Sequence, residues 1–351
     1  MRRNSQPVGG ISVIVPTFNS AACLPRTLRR IDEALRPAEE SEIVVVDDGS
    51  DDGTSEVLAA LSGELATSLR VISQKNMGRF LARWAGIHEA KFGRLLFVDS
   101  RVVLATDALN YIFSTDAADD QTWIAHVETC TTSLLGRFWE APTHVFWGRY
   151  LRDPQPSMLT SDNFDRYPKG TGCLLVDRTR FEQACLSSWP DAGQKLVSDD
   201  TRVLRHLVQQ GPLRLDPGFR ADYEPRVKLR PFLSHAFERG TLFVDSYAGT
   251  STRRNVVLVA LVVAPPAALI ALVVGVAFGA WLCVIGLLAL ALSLVGAFMV
   301  AALVNRCRWS AVLSFLVFFL PFGIVFWAGL TRGLLLHRRA FSPSQTSAGR
   351  L

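Results

Sequence analysis

The stretch that decides the fold is EIVVVDDGSDDGT, residues 42–54. Glu42 to Val46 is a β-branched run without polar alternation, the pattern of a strand buried on both faces of a parallel sheet. It ends abruptly at Asp47-Asp48-Gly49-Ser50, and helical spacing resumes from Thr54 to Leu65. The same grammar extends outward in both directions. Upstream, ISVIV (residues 11–15) is closed by Pro16, and Ala22 to Leu35 places Leu24, Leu28, Ile31 and Leu35 on one helical face. Pro25 falls in the first turn, where proline is tolerated. Downstream, Leu69 to Ser73 is a third strand, Arg79 to Lys91 a helix, and RLLFV (residues 94–98) a fourth strand. Strand and helix alternate about every 30 residues, which predicts an α/β domain with a mostly parallel sheet. A helix over Leu104 to Gln121, strands over Thr122 to Thr131 and Gly170 to Val176, and a helix over Asp199 to Gln209 complete the pattern. Residues 133–168, rich in aromatics, Pro and Arg, yield no assignment.

The second half of the chain obeys a different solvent. No charged residue occurs between Arg254 and Arg306, and none from Trp309 to Thr331. The apolar block from Val256 to Val304 would be about 73 Å long as helix, and one crossing needs about 20 residues. Two spans are therefore expected there, over 256–274 and 281–304, with a third over 310–331. The expected organisation is a catalytic domain over 1–225, a basic juxtamembrane connector over 226–254, a membrane region over 255–336 and a Ser-rich flexible tail over 337–351. Basic residues gather beside the apolar blocks, at Arg253, Arg254, Arg306, Arg308, Arg338 and Arg339. That placement accounts for the net charge of +5 better than a nucleic-acid partner does, because cations collect on the cytoplasmic face of a bilayer. No nucleic-acid-binding motif is present. The apolar run at Ile11 to Val15 is too short for a signal-peptide core. The six cysteines show no CxxC spacing, which argues against a zinc site or a disulfide framework. The first domain is expected in the cytosol, anchored to the cell membrane by several spans.

In an open α/β sheet, ligands bind beyond the carboxyl ends of the strands. Three polar clusters lie there: Pro16-Thr17-Phe18-Asn19, Asp47-Asp48-Gly49-Ser50 and Asp99-Ser100-Arg101. One such cluster is explained by helix capping; three on successive strands point to a site. Ser198-Asp199-Asp200 opens an apolar helix and reads either as a cap or as a pair of reactive carboxylates.

With these words in place the chain resembles glycosyltransferase family 2, whose members have a GT-A fold. The matching words are IVPTFNS (14–20), EIVVVDDGSDDGT (42–54), KNMGRFLARWAGI (75–87), LLFVDSR (95–101), KGTGCLLVDRTRF (169–181) and SDDTRVL (198–204). The resemblance implies transfer, with inversion, of a sugar from a nucleotide-sugar donor. It assigns Pro16, Thr17 and Asn19 to the nucleotide pocket and Asp48 to the nucleobase. Lys75, Gly78 and Arg79 go to the donor phosphates, and Gly170, Thr171 and Gly172 to the acceptor side; Arg101, where the family has a carboxylate, offers a guanidinium fork that suits the same phosphates. Asp200 becomes the base that takes the acceptor proton, with Asp199 beside it. Arg83, one turn after Arg79, faces either the phosphates or solvent. The stretch Phe237-Glu238-Arg239-Gly240 corresponds to a gate.

One word departs from the family. Asp-x-Asp, which holds Mg²⁺ or Mn²⁺ against the diphosphate, reads Asp99-Ser100-Arg101 here. Asp99 remains a metal ligand at most alone, since a guanidinium has no lone pair to give, and the divalent cofactor is in doubt. Membrane anchoring favours a lipid-linked acceptor and a role in glycan or polysaccharide synthesis. Two other readings exist, a nucleotidyltransferase and an inactive membrane scaffold of the same fold. The first lacks a Gly-rich basic loop after its first strand; the second has to explain why Asp48 and Asp200 persist.

Overall fold

Strands β1 (Ile11–Thr17) and β2 (Ser41–Asp47) are buried almost end to end, which is the physical reason for their unalternating sequence. They belong to a computed structural model that describes residues 10–115, 122–189, 197–198 and 200–341. The chain divides into two compact units, one built from the residues up to 131 together with 153–225, the other from 132–152 together with 226 onward. The excursion 132–152, left unassigned by pattern, belongs with the second unit.

In the first unit, α1 (Leu24–Ala34), α2 (Thr54–Leu61), β3 (Ser68–Ser73), α3 (Arg79–Glu89) and β4 (Arg94–Val98) follow in the expected order. The region expected as one helix from Leu104 begins instead with a short strand, β5 (Val102–Leu104), and a helix, α4 (Ala108–Ser114); residues 116–121 lie outside the described residues. Then come β6 (Thr122–Thr129) and, after α5 (Glu140–Leu151), which lies in the excursion that belongs to the second unit, β7 (Ser157–Leu159), β8 (Cys173–Asp177), α6 (Arg178–Ser187), α7 (Thr201–Gln210) and β9 (Leu213–Tyr223). The nine strands form one mixed sheet of order β3-β2-β1-β4-β8-β6-β9-β5, with β7 on β9. β3, β2, β1 and β4 are mutually parallel, and β8 joins β4 antiparallel. β9 escapes the sequence reading because Pro217-Gly218 interrupts it. Its ladder with β6 skips from Asp216 to Arg220 at a bulge. Asp216, fully buried there, accepts hydrogen bonds from Tyr111 Oη (2.9 Å), Arg214 Nε (2.9 Å) and the Gly218 amide (3.0 Å).

In the second unit, residues 226–254 are not an extended connector. They form α8 (Leu229–Tyr247), followed by α9 (Thr252–Ala277), α10 (Trp281–Val304) and α11 (Trp309–Leu336). The last three are long and apolar enough to cross a membrane; α10 has the bounds expected of it, and α9 and α11 run seven and six residues longer than the apolar pattern alone suggests. α8 lies on α11 through glycines. A Cβ on Gly240 would meet the Phe326 carbonyl at 2.4 Å, and one on Gly329 would meet the Phe237 carbonyl at 2.1 Å. The Thr241 hydroxyl donates to the Gly329 carbonyl at 3.1 Å. Phe138, from the excursion, packs against Phe232, Phe315 and Phe322 with ring centroids 4.5–5.4 Å apart. Trp139 packs on Phe322, and His144 bonds the Asn305 carbonyl at 2.9 Å, so both serve the core of this unit.

Gly86 sets how closely α3 approaches the sheet. A Cβ there would lie 2.5 Å from Ile14 Cγ2 and 3.3 Å from Val46 Cγ2. Gly→Ala inside a helix ordinarily gains about 1 kcal/mol, whereas overpacking a core costs about 1–3 kcal/mol. Ile14 is fully buried and β-branched, so it has little room to yield, and the overpacking term wins. Gly86→Ala should lower stability by about 1–2 kcal/mol net, read as an earlier denaturant midpoint at unchanged slope. A later midpoint would show that α3 has slack against β1.

Candidate active site

The sheet itself creates the opening. From β1 the chain moves to β2 and β3 on one side, then returns to β4 on the other, so the order reverses between β1 and β4, where such sheets bind ligands. Pairing of β1 with β4 stops at Ile14–Phe97, while pairing with β2 runs on to Thr17–Asp47. Pro16 brings no N–H with which to extend a ladder. At the floor of this gap the Thr17 hydroxyl is buried and has no hydrogen-bond partner among the described residues. A buried polar atom of that kind marks a place for a ligand group or water.

Two loops are stapled together at the rim. Asn19 takes a left-handed backbone (φ 49°), and its amide exchanges hydrogen bonds with Asp51: Nδ2 donates to Asp51 Oδ1 (2.8 Å), and Oδ1 accepts from the Asp51 amide (2.9 Å). Its own backbone N–H donates to Ser50 Oγ at 2.9 Å. Asn19 therefore shapes the loop after β1. Asp48 works similarly on the next loop. Its Oδ1 accepts from Gln74 Nε2 and the Met77 amide, both at 2.7 Å, and its Oδ2 accepts from the Gly78 amide at 2.8 Å. The sequence assigns this buried carboxylate to a nucleobase; both its oxygens are engaged in folding residues 74–78. Gly78 has φ 90°, a conformation glycine adopts without strain. The loop delivers Lys75, which is exposed, and Arg79, the first residue of α3, to the rim.

Arg83 is where sequence and structure part most. It is buried, not solvated, with a side chain only 3% exposed, and its guanidinium donates to Asp99 Oδ1 at 2.5 Å. Burial pushes its pKa down from the ordinary arginine value, while Asp99, and more weakly Asp200, pull it up. Asp99 is held from a third side as well: its amide donates to the Gly172 carbonyl at 2.8 Å, and a Cβ on Gly172 would lie 3.0 Å from its Oδ2. Glycine at 172 thus makes room for the carboxylate. Arg101 makes no side-chain hydrogen bond or ion pair among the described residues, and its charge is felt at Cys23. Ser100 joins its hydroxyl to that of Ser20 at 2.9 Å.

This donor set does not suit the family's divalent cation. Asp99 is one carboxylate already neutralised by Arg83, Arg101 has no acceptor atom, and no group of three or more His, Cys, Asp or Glu converges among the described residues. A small hard cation wants several free oxygens.

On the other side of Asp99, Asp200 caps α7, accepting from the Thr201 amide and from Ser198 Oγ. Asp199 lies outside the described residues. Thr171 is buried, and Gly170 to Gly172 lead from this cap region into β8. Lys169, immediately before them, was missed by sequence reasoning. Its ammonium is buried, donating to the carbonyls of Phe164 (2.7 Å) and Tyr167 (3.2 Å). The signal available was its place before Gly-Thr-Gly; for Arg83 it was the one-turn spacing from Arg79.

Residues 12–139 match the model for Glycosyl transferase family 2. An undecaprenyl-phosphate 4-deoxy-4-formamido-L-arabinose transferase of Pseudomonas paraeruginosa is 35% identical over 96 residues, 27% of this chain and 28% of that protein. A protein named glycosyltransferase AglE, of Haloferax volcanii, is 32% identical over 89 residues, 25% of this chain and 29% of that one. The chain thus matches less than a third of the length of these relatives. Among solved structures, a mannosyltransferase of Pyrobaculum calidifontis superposes with a TM-score of 0.50 at 18% identity, covering 94% of this chain and 88% of that one, a likeness of fold. The sequence words and the family match agree that residues 12–139 are similar to glycosyltransferase family 2, the fold is like that of GT-A glycosyltransferases, and helices of membrane-spanning length follow.

Proposed function

We propose that this chain transfers a sugar, with inversion, from a nucleotide-sugar donor to a lipid-linked acceptor at a membrane. The observation that carries the reading is the convergence, at the β1–β4 switch point, of a buried unpartnered hydroxyl (Thr17), a carboxylate–guanidinium pair (Asp99–Arg83) and the Asp200 cap. In this reading Thr17 and the loops held by Asn19 and Asp48 receive the nucleoside. Arg101, Arg79 and Lys75 face the diphosphate, where a guanidinium fork suits paired oxygens. Asp200 takes the acceptor proton as the acceptor oxygen attacks the anomeric carbon. The bond to the diphosphate breaks in line, and the nucleoside diphosphate leaves with the pair of electrons. The lipid character of the acceptor is supported by the apolar helices of the second unit and by the undecaprenyl-phosphate named in its relatives. A glycan or polysaccharide precursor is the natural product class.

The direct test offers the purified full-length chain UDP-N-acetylglucosamine, UDP-glucose and GDP-mannose with membrane lipid extract, products being read by mass spectrometry. A sugar-bearing lipid is expected, and its formation should persist in excess chelator, because the site offers a divalent cation so little. Activity that vanishes in chelator and returns with Mn²⁺ would restore Asp99 as a metal ligand. A chain that binds donor without ever turning it over would be the inactive scaffold.

Asp200→Asn separates base from cap. An amide oxygen still accepts the cap hydrogen bond but takes no proton. With a hydroxyl acceptor, turnover should fall by about a hundredfold or more, the scale of a lost general base, with donor affinity unchanged. With a phosphate acceptor, ionised at neutral pH since its second pKa is about 6, the loss should be under about tenfold. Full turnover on a hydroxyl acceptor would leave Asp200 as a cap alone.

We further propose that the first unit faces the cytosol. Arg253 and Arg254 then lie inside, and two crossings bring Arg306 and Arg308 back inside, as the charge bias favours. A third crossing by α11 places Arg332, Arg338 and Arg339 outside against that bias, but its apolar length outweighs these charges. A reporter fused after Leu351 should therefore be active only outside the cytosol; cytosolic activity would reduce α11 to a re-entrant or surface helix.

A further inference from the structure

Lys169 occupies an unusual position for a lysine. Its side chain is 3% exposed, and buried ammonium groups are rare unless paired. The ammonium donates to the Phe164 and Tyr167 carbonyls at 2.7 and 3.2 Å, lies 3.6 Å from Asp165 Oδ1 and sits 4.4 Å over the centroid of the Phe164 ring. Arg205 of α7 approaches the same two groups, 3.4 Å from Asp165 Oδ1 and 4.9 Å from the Phe164 centroid. Phe164 and Asp165 are thus held between a cation from the loop and a cation from α7. The charged groups facing the ammonium are Asp165 from the loop, Arg205 from α7 and Asp200 at the cap of α7. From Lys169 the chain runs directly through Gly170 and Thr171 to Gly172, whose carbonyl holds the Asp99 amide. The buried cation therefore holds residues 164–167 at the entry to the Gly170–Gly172 segment, Asp165 carries the contact on to Arg205 of α7, and the charge of Asp200 is felt at the ammonium.

We propose that Lys169 is a positioning residue for the transfer: its charged ammonium holds the Gly170–Gly172 segment and the start of α7 in working register, so that turnover requires Lys169 to keep its proton. The inference rests on the proposed reading of Asp200 and its surroundings as the acceptor side. Loss of the proton would remove the charge that Asp165 meets and Asp200 feels, and leave a neutral amine between the two carbonyls. Burial, opposed by Asp165 and Asp200, lowers the pKa of Lys169 to about 8. The sign follows: protonation is full well below that value and is lost as pH rises through it, so turnover should fall on the alkaline side. The buried thiols nearest this region do not titrate there, since burial pushes Cys185 up to about 12 and Cys173 higher still.

The test is the pH–rate profile of the full-length chain in phosphatidylglycerol vesicles containing undecaprenyl phosphate, with the three nucleotide sugars named above, for the native protein, Lys169→Met and Lys169→Arg. The native profile should bend downward near pH 8. Lys169→Met should lose tenfold to a hundredfold in kcat at neutral pH, the order expected for misplaced reacting groups. Its donor KM should stay within about twofold and its alkaline bend should vanish. Lys169→Arg, which keeps the charge, should restore most of kcat and move the bend beyond pH 10, as expected of a guanidinium. An alkaline bend that stays near pH 8 in either variant, or a Lys169→Met protein with native kcat, overturns the proposal. A merely structural lysine would change the melting temperature and leave the bend in place. Native protein inert toward every donor would sink the parent reading and this inference together, whereas active native protein with an unchanged bend sinks this inference alone.

Discussion

A buried guanidinium organises the first unit. Stripping an ion of water costs several kcal/mol even after relaxation, and the cost is recovered only with a well-placed counter-charge. Arg83 finds it in Asp99 at 2.5 Å. Much of the surrounding sequence exists to make that distance possible. Gly86, one turn along α3, lets the helix settle onto Ile14 and Val46. Gly172 leaves space beside the other oxygen of Asp99 and gives its carbonyl to the Asp99 amide. Helix α3, strand β4 and the start of β8 therefore meet at one ion pair, and the polar groups of the switch point are arranged around it.

The parallel half of the sheet is plain in the sequence because its strands are buried on both faces and composition alone marks them. Strands β5, β7 and β9 are not, since two are three residues long and the third carries Pro217-Gly218 at a bulge. Helix α8 hides for a different reason. Its cations and aromatics read as a connector, yet it is a helix held by glycine-mediated contact with α11. Contacts of that kind depend on which residues are small, a pattern with little hydrophobic signal. At the site, Asp48, Asp99 and Asp200 are legible as motif residues, but their hydrogen bonds are not. Motif position could not say that Asp48 spends both oxygens on residues 74–78, or that Arg83 turns inward rather than outward.

The second unit shows how a membrane-associated module is built without a membrane in view. Its apolar helices leave large side chains such as Leu282, Leu292 and Leu320 exposed, as lipid-facing positions are, while its interior is a knot of rings around Phe138. That aromatic side chain comes from residues 132–152, which are inserted into the sequence of the first unit. The chain therefore passes between the two units at residues 131, 152 and 225.

The change from Asp-x-Asp to Asp99-Ser100-Arg101 has a charge consequence that coordination chemistry alone overlooks. Replacing one carboxylate (−1) by a guanidinium (+1) shifts the local charge by +2, the charge of the divalent ion that the usual site would have held. A diphosphate leaving group needs positive charge where its electrons arrive, and a protein can supply it through a metal or through fixed cations. The two solutions differ in geometry. A metal polarises its ligands at about 2 Å and demands oxygen donors, whereas a guanidinium acts through directed N–H bonds and demands a rigid support. Arg83 cannot fill that role freely, since Asp99 engages it. Arg101, with no side-chain partner among the described residues, is on the proposed reading a cation that meets a phosphate, together with Lys75 and Arg79. On the proposed reading, the site has exchanged a ligand set that gathers charge from solution for one that carries the charge in its own sequence.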